Sequence, residues 1–231
     1  MKPYYEHAGI TIYHGDCLEV MPSLSVAPDL VLTDPPYNAS NSKLEFAEKG
    51  FSVVDESWDK NFDPMPPMEA AWKLLSERGS LLTFCSYHLL GRYLNWKEPQ
   101  QIVHWRKTNP FPAIAKVWTP TVEYAVWFVK GSPYTFNKPF AGQNVIDAPI
   151  CAGHERTEHP TQKPEILMQK ILLVHAPENG LVLDCFMGSG TTLTAAKTLN
   201  LKAIGIELEE KYCEIAAKRL EQEVFCFEEA K

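Results

Sequence analysis

The sequence predicts an α/β fold, a mostly parallel sheet covered by helices on both faces. Two short apolar runs, residues 29–33 (DLVLT) and 181–184 (LVLD), read as strands buried on both faces, as parallel sheets require. Strand-like runs alternate with helical stretches along the chain, without internal repeats or low-complexity segments. The length, 231 residues, suits one α/β domain with a proper core and is short for two.

Residues 10–14 form a short strand. The 29–33 strand runs into Asp34-Pro35-Pro36-Tyr37, where the two prolines must end it. Residues 67–78 read as a helix, 79–84 as a strand and 87–96 as a helix. Residues 102–106 and 122–130 are strands by their β-branched and aromatic content. Residues 164–175 form an amphipathic helix with Pro164 in its first turn. The 181–184 strand passes through Cys185-Phe186-Met187 into Gly188-Ser189-Gly190-Thr191-Thr192, which opens a helix to about Leu199. Residues 202–207 (KAIGIE) are a strand ending on an acid, and a last helix runs from Leu208 to about Val224. Two irregular segments remain, 38–64 and 131–158. Long irregular stretches in a compact domain are often functional loops, and 38–64 is expected to be a mobile one.

Composition is that of a globular protein, 45% hydrophobic and 22% charged. No apolar run is long enough to span a bilayer, and the N-terminus lacks a signal-peptide stretch, so a cytoplasmic location is expected. Cys17, Cys85, Cys151, Cys185, Cys213 and Cys226 form no C-x-x-C pair and read as reduced packing residues. His154 and His159 lie close together but have no cysteine at ligand spacing, so no metal site is expected. Net charge is −7, unevenly spread. Residues 86–140 carry seven basic and two acidic residues, a local +5 that leaves −12 elsewhere, and hold 12 of the 26 aromatics. A basic stretch interleaved with aromatics suits phosphate contact plus base stacking, and equally suits a sheet edge with solvated lysines.

Two motifs carry chemistry. In the first, Asp184 ends a strand, Gly188-Ser189-Gly190 turns the chain, and Glu207 ends the next strand. Glycines allow close approach to a ligand, the helix start offers free N–H groups, and the second acid can accept hydrogen bonds from a ribose. The turn is not G-x-G-x-x-G, and no lysine follows it as in a phosphate-binding loop. The pattern fits a nucleoside-bearing cofactor without a phosphate tail, such as S-adenosylmethionine. The second motif is Asp34-Pro35-Pro36-Tyr37. Prolines have no N–H, so this turn presents carbonyls beside a carboxylate. Two such acceptors can take both hydrogens of an exocyclic amine, localise its lone pair and aim it at an electrophile. Tyr37 can stack on a base taken out of the duplex.

Together these motifs resemble the amino-DNA methyltransferases. Thr33-Asp34-Pro35-Pro36-Tyr37-Asn38 resembles their catalytic motif, and residues 184–192 resemble their D-x-F-x-G-S-G-T cofactor motif. His159-Pro160-Thr161-Gln162-Lys163-Pro164 matches their H-P-T-Q-K-P segment. Residues 105–112 (WRKTNPFP) are similar to W-x-K-x-N-P-x-P on the DNA side, and His14-Gly15-Asp16-Cys17 resembles the element that touches the cofactor's adenine. The catalytic motif precedes the cofactor motif, the circular permutation of the β group. The resemblance implies a Rossmann-like S-adenosylmethionine-dependent methyltransferase fold, seven-stranded and permuted, in one catalytic domain over 1–231. Asp34, Pro35, Pro36 and Tyr37 would be catalytic, with Asp34 and Pro35 also facing the cofactor. Asp184, Phe186, Gly188, Ser189, Gly190, Thr191 and Glu207 would hold the cofactor, and Asp16 and Cys17 its adenine. Thr161 and Lys163 would lie near its methionine carboxylate. Arg106, Lys107, Asn109 and Lys116 would contact DNA. Segment 131–158 would be a short target-recognition element, and a homodimer and a restriction partner would be in keeping.

The implied activity is N6-adenine methylation of DNA by in-line attack, without metal or covalent intermediate. N4-cytosine methylation uses the same geometry, but that branch often has Ser in place of the first Asp. RNA and protein-glutamine enzymes usually carry Asn-Pro-Pro-Tyr with the motifs in the opposite order. An idle DNA-binding module would have no reason to keep Asp34 and the glycine turn intact.

Overall fold

The computed structural model describes residues 1–38, 57–112 and 116–221. In chain order the strands among these residues are β1 (Tyr5–His7), β2 (Ile10–His14), β3 (Leu30–Thr33), β4 (Ser80–Cys85), β5 (Gln101–Lys107), β6 (Val122–Val129), β7 (Val145–Ala148), β8 (Leu181–Asp184) and β9 (Lys202–Glu207). The helices are α1 (Cys17–Val20), α2 (Met65–Leu74), α3 (Tyr87–Trp96), α4 (Glu165–His175), α5 (Thr191–Thr198) and α6 (Glu210–Glu221). All strands join one sheet, in the order β1-β2-β9-β8-β3-β4-β6-β5-β7. From β2 to β4 neighbours run parallel, whereas β6 is antiparallel to both β4 and β5. The central seven strands are those read from the sequence. Two short edge strands bring the total to nine, not seven. β1 folds back on β2 through Ala8 and Gly9, both at positive φ, and β7 pairs with β5 over four residues.

Side chains alternate across the sheet, so each strand feeds two cores. Leu30, Leu32, Leu82 and Val182 pack with α4, α5 and α6. Val31, Leu81, Leu183 and Ile206 pack with α1, α2 and α3. The order also displays the permutation. β9, near the end of the described chain, pairs with β2, near its start, and β8 pairs with β3. The proline turn and the glycine turn therefore leave adjacent parallel strands at the same end. Thr33 Oγ1 donates across them to Asp184 Oδ1 at 2.8 Å.

Element boundaries depart from expectation for local reasons. α2 starts at Met65 rather than 67, because Pro66 and Pro67 fit a first turn that needs no N–H bonds. It stops at Leu75, whose backbone is extended, and Ser76 N–H turns to the Pro28 carbonyl at 2.9 Å. Pro164 is the N-cap of α4 rather than a member of its first turn. α6 begins at Glu210, because the Glu209 N–H is held by Glu207 Oε1 at 2.8 Å. Its expected end near Val224, most of the 38–64 loop and Cys226 lie outside the described residues. Segment 131–158 is less irregular than expected, since it contains β7. Its Asn137 amide binds the Leu173 and Ala176 carbonyls at 2.8 and 2.9 Å, at the end of α4. Cys17, Cys85, Cys151, Cys185 and Cys213 are free and buried. No helix among the described residues is long and apolar enough to cross a membrane.

Candidate active site and cofactor cleft

A cleft of about 520 Å³ opens where β2, β9, β8 and β3 end. Asp184 is buried there. Its Oδ1 accepts from Thr33 Oγ1 at 2.8 Å and from the Phe186 N–H at 3.1 Å. Burial pushes its pKa up to about 6 against the pull of these bonds. Gly188 has φ +51°, and its N–H donates to Glu207 Oε2 at 2.9 Å. A Cβ on Gly188 would lie 2.7 Å from His159 Nε2, so only glycine leaves this wall open. Burial also raises the Glu207 carboxyl. Asp16 is exposed at the start of α1, which it caps through the Leu18 N–H at 2.8 Å, with Cys17 buried behind it. Carboxylates at Asp16, Asp184 and Glu207 would repel a phosphate. They fit a nucleoside whose hydroxyls and amine donate hydrogen bonds and whose tail carries positive charge, as S-adenosylmethionine does.

The proline turn adds a charged chain beside that cleft. Asp34 Oδ1 accepts from the Tyr37 hydroxyl at 2.7 Å, and Asp34 Oδ2 is bonded by Lys163 Nζ. Lys163 Nζ also lies 3.2 Å from Glu123 Oε2, and Glu123 Oε1 takes Lys107 Nζ at 2.7 Å. The Tyr37 hydroxyl is 3.2 Å from Glu123 Oε2, and the Tyr37 N–H donates to Asp59 Oδ1 at 2.9 Å. Burial favours neutral Lys163, but Asp34 and Glu123 outweigh it and raise its pKa. Burial likewise lifts Glu123, yet Lys163 and Lys107 prevail and hold it at about 2. For Asp34 burial, reinforced by the Glu123 charge, prevails over Lys163 and lifts the carboxyl above its ordinary value.

Most of the sequence-predicted residues meet here. Asp34, Pro35, Pro36, Tyr37, Asp16 and Cys17 line the cleft. So do Thr161, Lys163, Asp184, Phe186, Gly188, Ser189, Thr191 and Glu207. Gly190 caps α5 at φ +80° behind the lining. Lys163, expected at the cofactor's carboxylate, has its ammonium taken by Asp34 and Glu123 instead. Lys107, expected on DNA, turns inward to Glu123. Arg106 is exposed and forks onto Asp147 at 2.7 and 2.6 Å, Asn109 Oδ1 accepts from the Ile150 N–H at 2.7 Å, and Lys116 is exposed. His159 lies between the Trp58 ring at 6.2 Å and the Tyr212 ring at 4.5 Å, and burial lowers its pKa to about 4. Among the described residues no cluster of three or more His, Cys, Asp or Glu is placed to hold a metal.

Sequence reading missed Glu123 and Arg219. Arg219 reaches from α6 to the Ser189 carbonyl at 2.7 Å and Thr191 Oγ1 at 3.2 Å, tying the glycine turn down from behind. Arg219→Met would leave the buried Ser189 carbonyl without this donor. A loss of about 1–3 kcal/mol in unfolding free energy is expected in urea titration, with weaker cofactor binding.

A parallel sheet, a glycine turn between carboxylates and an Asp-Pro-Pro-Tyr turn on adjacent strand ends define an S-adenosylmethionine-dependent methyltransferase. Comparison with known proteins agrees. The family model described as DNA methylase, for N6/N4 methyltransferases, matches residues 28–218. The type II methyltransferase M2.LlaDCHI of Lactococcus lactis subsp. cremoris is 32% identical, over 95% of this chain and 92% of its own. The crystal structure of the M1.HpyAVI–SAM complex superposes with a TM-score of 0.72 at 33% identity, covering 91% of this chain and 99% of that one. The PvuII DNA methyltransferase (cytosine-N4-specific) shares the fold, with a TM-score of 0.74 at 19% identity over 97% and 91% of the two chains. The chain belongs to the N6/N4 DNA methylase family. It is a DNA methyltransferase that uses S-adenosylmethionine.

Proposed function

We propose that the amine methylated is N6 of adenine, in a base swung out of the DNA duplex into the cleft. The observation that carries this reading is Asp34, a carboxylate at the head of a rigid proline turn and beside the cofactor turn. Bound S-adenosylmethionine supplies an activated methyl group on its sulfonium. Asp34 Oδ1 and a proline-turn carbonyl accept the two amine hydrogens, which localises the nitrogen lone pair and orients it for attack. In the free protein the Tyr37 hydroxyl fills Oδ1, so the amine enters by replacing that donor. Asp184, Glu207, Asp16 and the glycine turn hold the cofactor, and Tyr37 stacks on the base.

The DNA face is the rim that bears residues 108–112 and 116–121, between β5 and β6. Its stem, Lys107 N–H to the Thr121 carbonyl at 2.8 Å, rises from the cleft, and Phe111 lines the opening. Trp118, 96% exposed, and exposed Lys116 offer stacking and phosphate contact there, and Arg106 and Asn109 lie close to them in the chain. Segment 131–158 supplies Ile150, Cys151 and Arg156 to the cleft wall and is the proposed target-recognition element. Cytoplasmic action, as a monomer or a homodimer, belongs to the same reading.

The test is to incubate the protein with unmethylated DNA and labelled S-adenosylmethionine, digest to nucleosides and identify the product by mass and retention. N6-methyladenine is expected. N4-methylcytosine would keep the mechanism and overturn the choice of base.

A further inference from the structure

Glu123 and Lys107 lie on β6 and β5, in the antiparallel part of the sheet, away from the strands that carry the two turns. Yet they continue a charged chain that ends on Asp34. Lys107, Glu123, Lys163 and Asp34 alternate in sign and sum to zero, and their side chains are only 18%, 18%, 5% and 17% exposed. Removing four charges from water costs more than their attraction returns unless the geometry is good, and apolar side chains of similar size would join the strands as well. An arrangement this expensive, beside a reactive carboxylate, points to function.

We propose that Glu123 is a positioning residue that holds Lys163 on Oδ2 of Asp34. This fixes the Lys163 ammonium on one oxygen of Asp34 and leaves Oδ1 turned to the incoming amine. The inference rests on the methyl-transfer reading above.

The geometry accounts for each partner. Lys163 is pinned by two carboxylates, one on the proline turn and one on β6, so its ammonium cannot follow Asp34 alone. The Tyr37 and Phe84 rings lie 5.0 and 5.3 Å from Nζ and add cation–π contact to the ammonium. Glu123 Oε2 is also 3.2 Å from the Tyr37 hydroxyl, an alternative acceptor when the amine displaces that hydroxyl from Asp34. The other titratable groups nearby are Cys85, Tyr37, Tyr93 and His159. Burial keeps the first three protonated and His159 neutral, so none competes for the lysine near neutral pH. Asp184 titrates near 6, so the alkaline side of the pH profile is the cleaner readout.

Glu123→Gln keeps the size and the hydrogen bonding but removes the charge. Expected is a fall in kcat of about tenfold or more near neutral pH, for a coupling worth about one pKa unit. KM for DNA and Kd for S-adenosylmethionine should stay within about twofold, because neither ligand meets Glu123 in this scheme. Lys163 then loses its proton more easily, so activity declines at lower pH on the alkaline side than in the wild type. Glu123→Asp should recover part of kcat. Lys107→Met removes a competing cation, so it should leave the alkaline limb where it is or move it higher. Unchanged kcat and pH profile in Glu123→Gln would overturn the proposal. A loss confined to cofactor affinity would also overturn it, by placing Lys163 on the methionine carboxylate. If Glu123→Gln fails to bind cofactor at all, Lys107→Met decides, and an alkaline limb moved lower counts against the proposal. A wild-type protein that methylates no DNA would instead refute the functional reading on which this one rests.

Discussion

Asp34→Ala should lose nearly all methyl transfer while still binding S-adenosylmethionine. Asp34 is the only carboxylate of the proline turn, and both its oxygens are engaged, one by Tyr37 and one by Lys163. Alanine removes the acceptor that localises the amine's lone pair and leaves Lys163 with Glu123 alone. Removing one pre-organised hydrogen-bonding group from a dry site costs about 10²–10³-fold in rate, and here the loss also frees Lys163 from its partner. The expected loss in single-turnover rate is therefore about a thousandfold. Cofactor affinity should change little, because the glycine turn, Asp184 and Glu207 are held by their own bonds to Thr33, Phe186, Gly188 and Glu209. Single-turnover transfer of labelled methyl, paired with calorimetric cofactor binding, separates the two effects. Retained turnover would place the acceptor elsewhere in the cleft.

What the sequence disclosed and what it hid follow from where the signals lie. The seven central strands are legible because each is a short apolar or β-branched run bounded by turn residues, and β3 and β8 end on the motifs themselves. β1 (YEH) and β7 (VIDA) are not legible. They are edge strands of three and four residues, and pairing to one neighbour requires no apolar pattern. The cofactor turn was readable for the same reason as the proline turn: glycine and proline constrain the backbone locally, whatever the rest of the chain does. Glu123 carried only a faint mark, one of two acids in a basic stretch and the charged member of an otherwise apolar strand. Its meaning appears only when sheet order brings β6 against β4 and seats Lys163, 40 residues further on, beneath it. Arg219 had no mark. In an amphipathic C-terminal helix rich in Glu and Lys it reads as a solvated charge, and only the packing of α6 on the glycine turn shows otherwise. Lys107 is the converse case. A basic residue in a DNA-side motif suggested phosphate, whereas its place at the inner end of β5 gave it a buried carboxylate.

Gly188→Ala should cripple cofactor binding without unfolding the protein. The residue occupies the left-handed region at φ +51°, where alanine costs about 1 kcal/mol over glycine. Its Cβ would come within 2.7 Å of His159 Nε2. That ring cannot swing aside easily, because Trp58 stacks on it and Tyr212 packs edge-on against it. The turn must therefore move, and its Gly188 N–H to Glu207 Oε2 bond stretches or breaks. Glu207 and the turn together form the proposed cofactor wall, so a small displacement there acts on both. A weakening of S-adenosylmethionine binding by about 10–100-fold is expected, as 1–3 kcal/mol of strain is transferred to the liganded turn. The two cores do not depend on Gly188, so thermal stability should fall by only a few degrees, as for a loss of about 1 kcal/mol. The companion variant Gly188→Ala/His159→Ala should recover part of the affinity by removing the obstructing ring. Failure of that rescue would show that backbone conformation, rather than the His159 wall, sets the requirement for glycine.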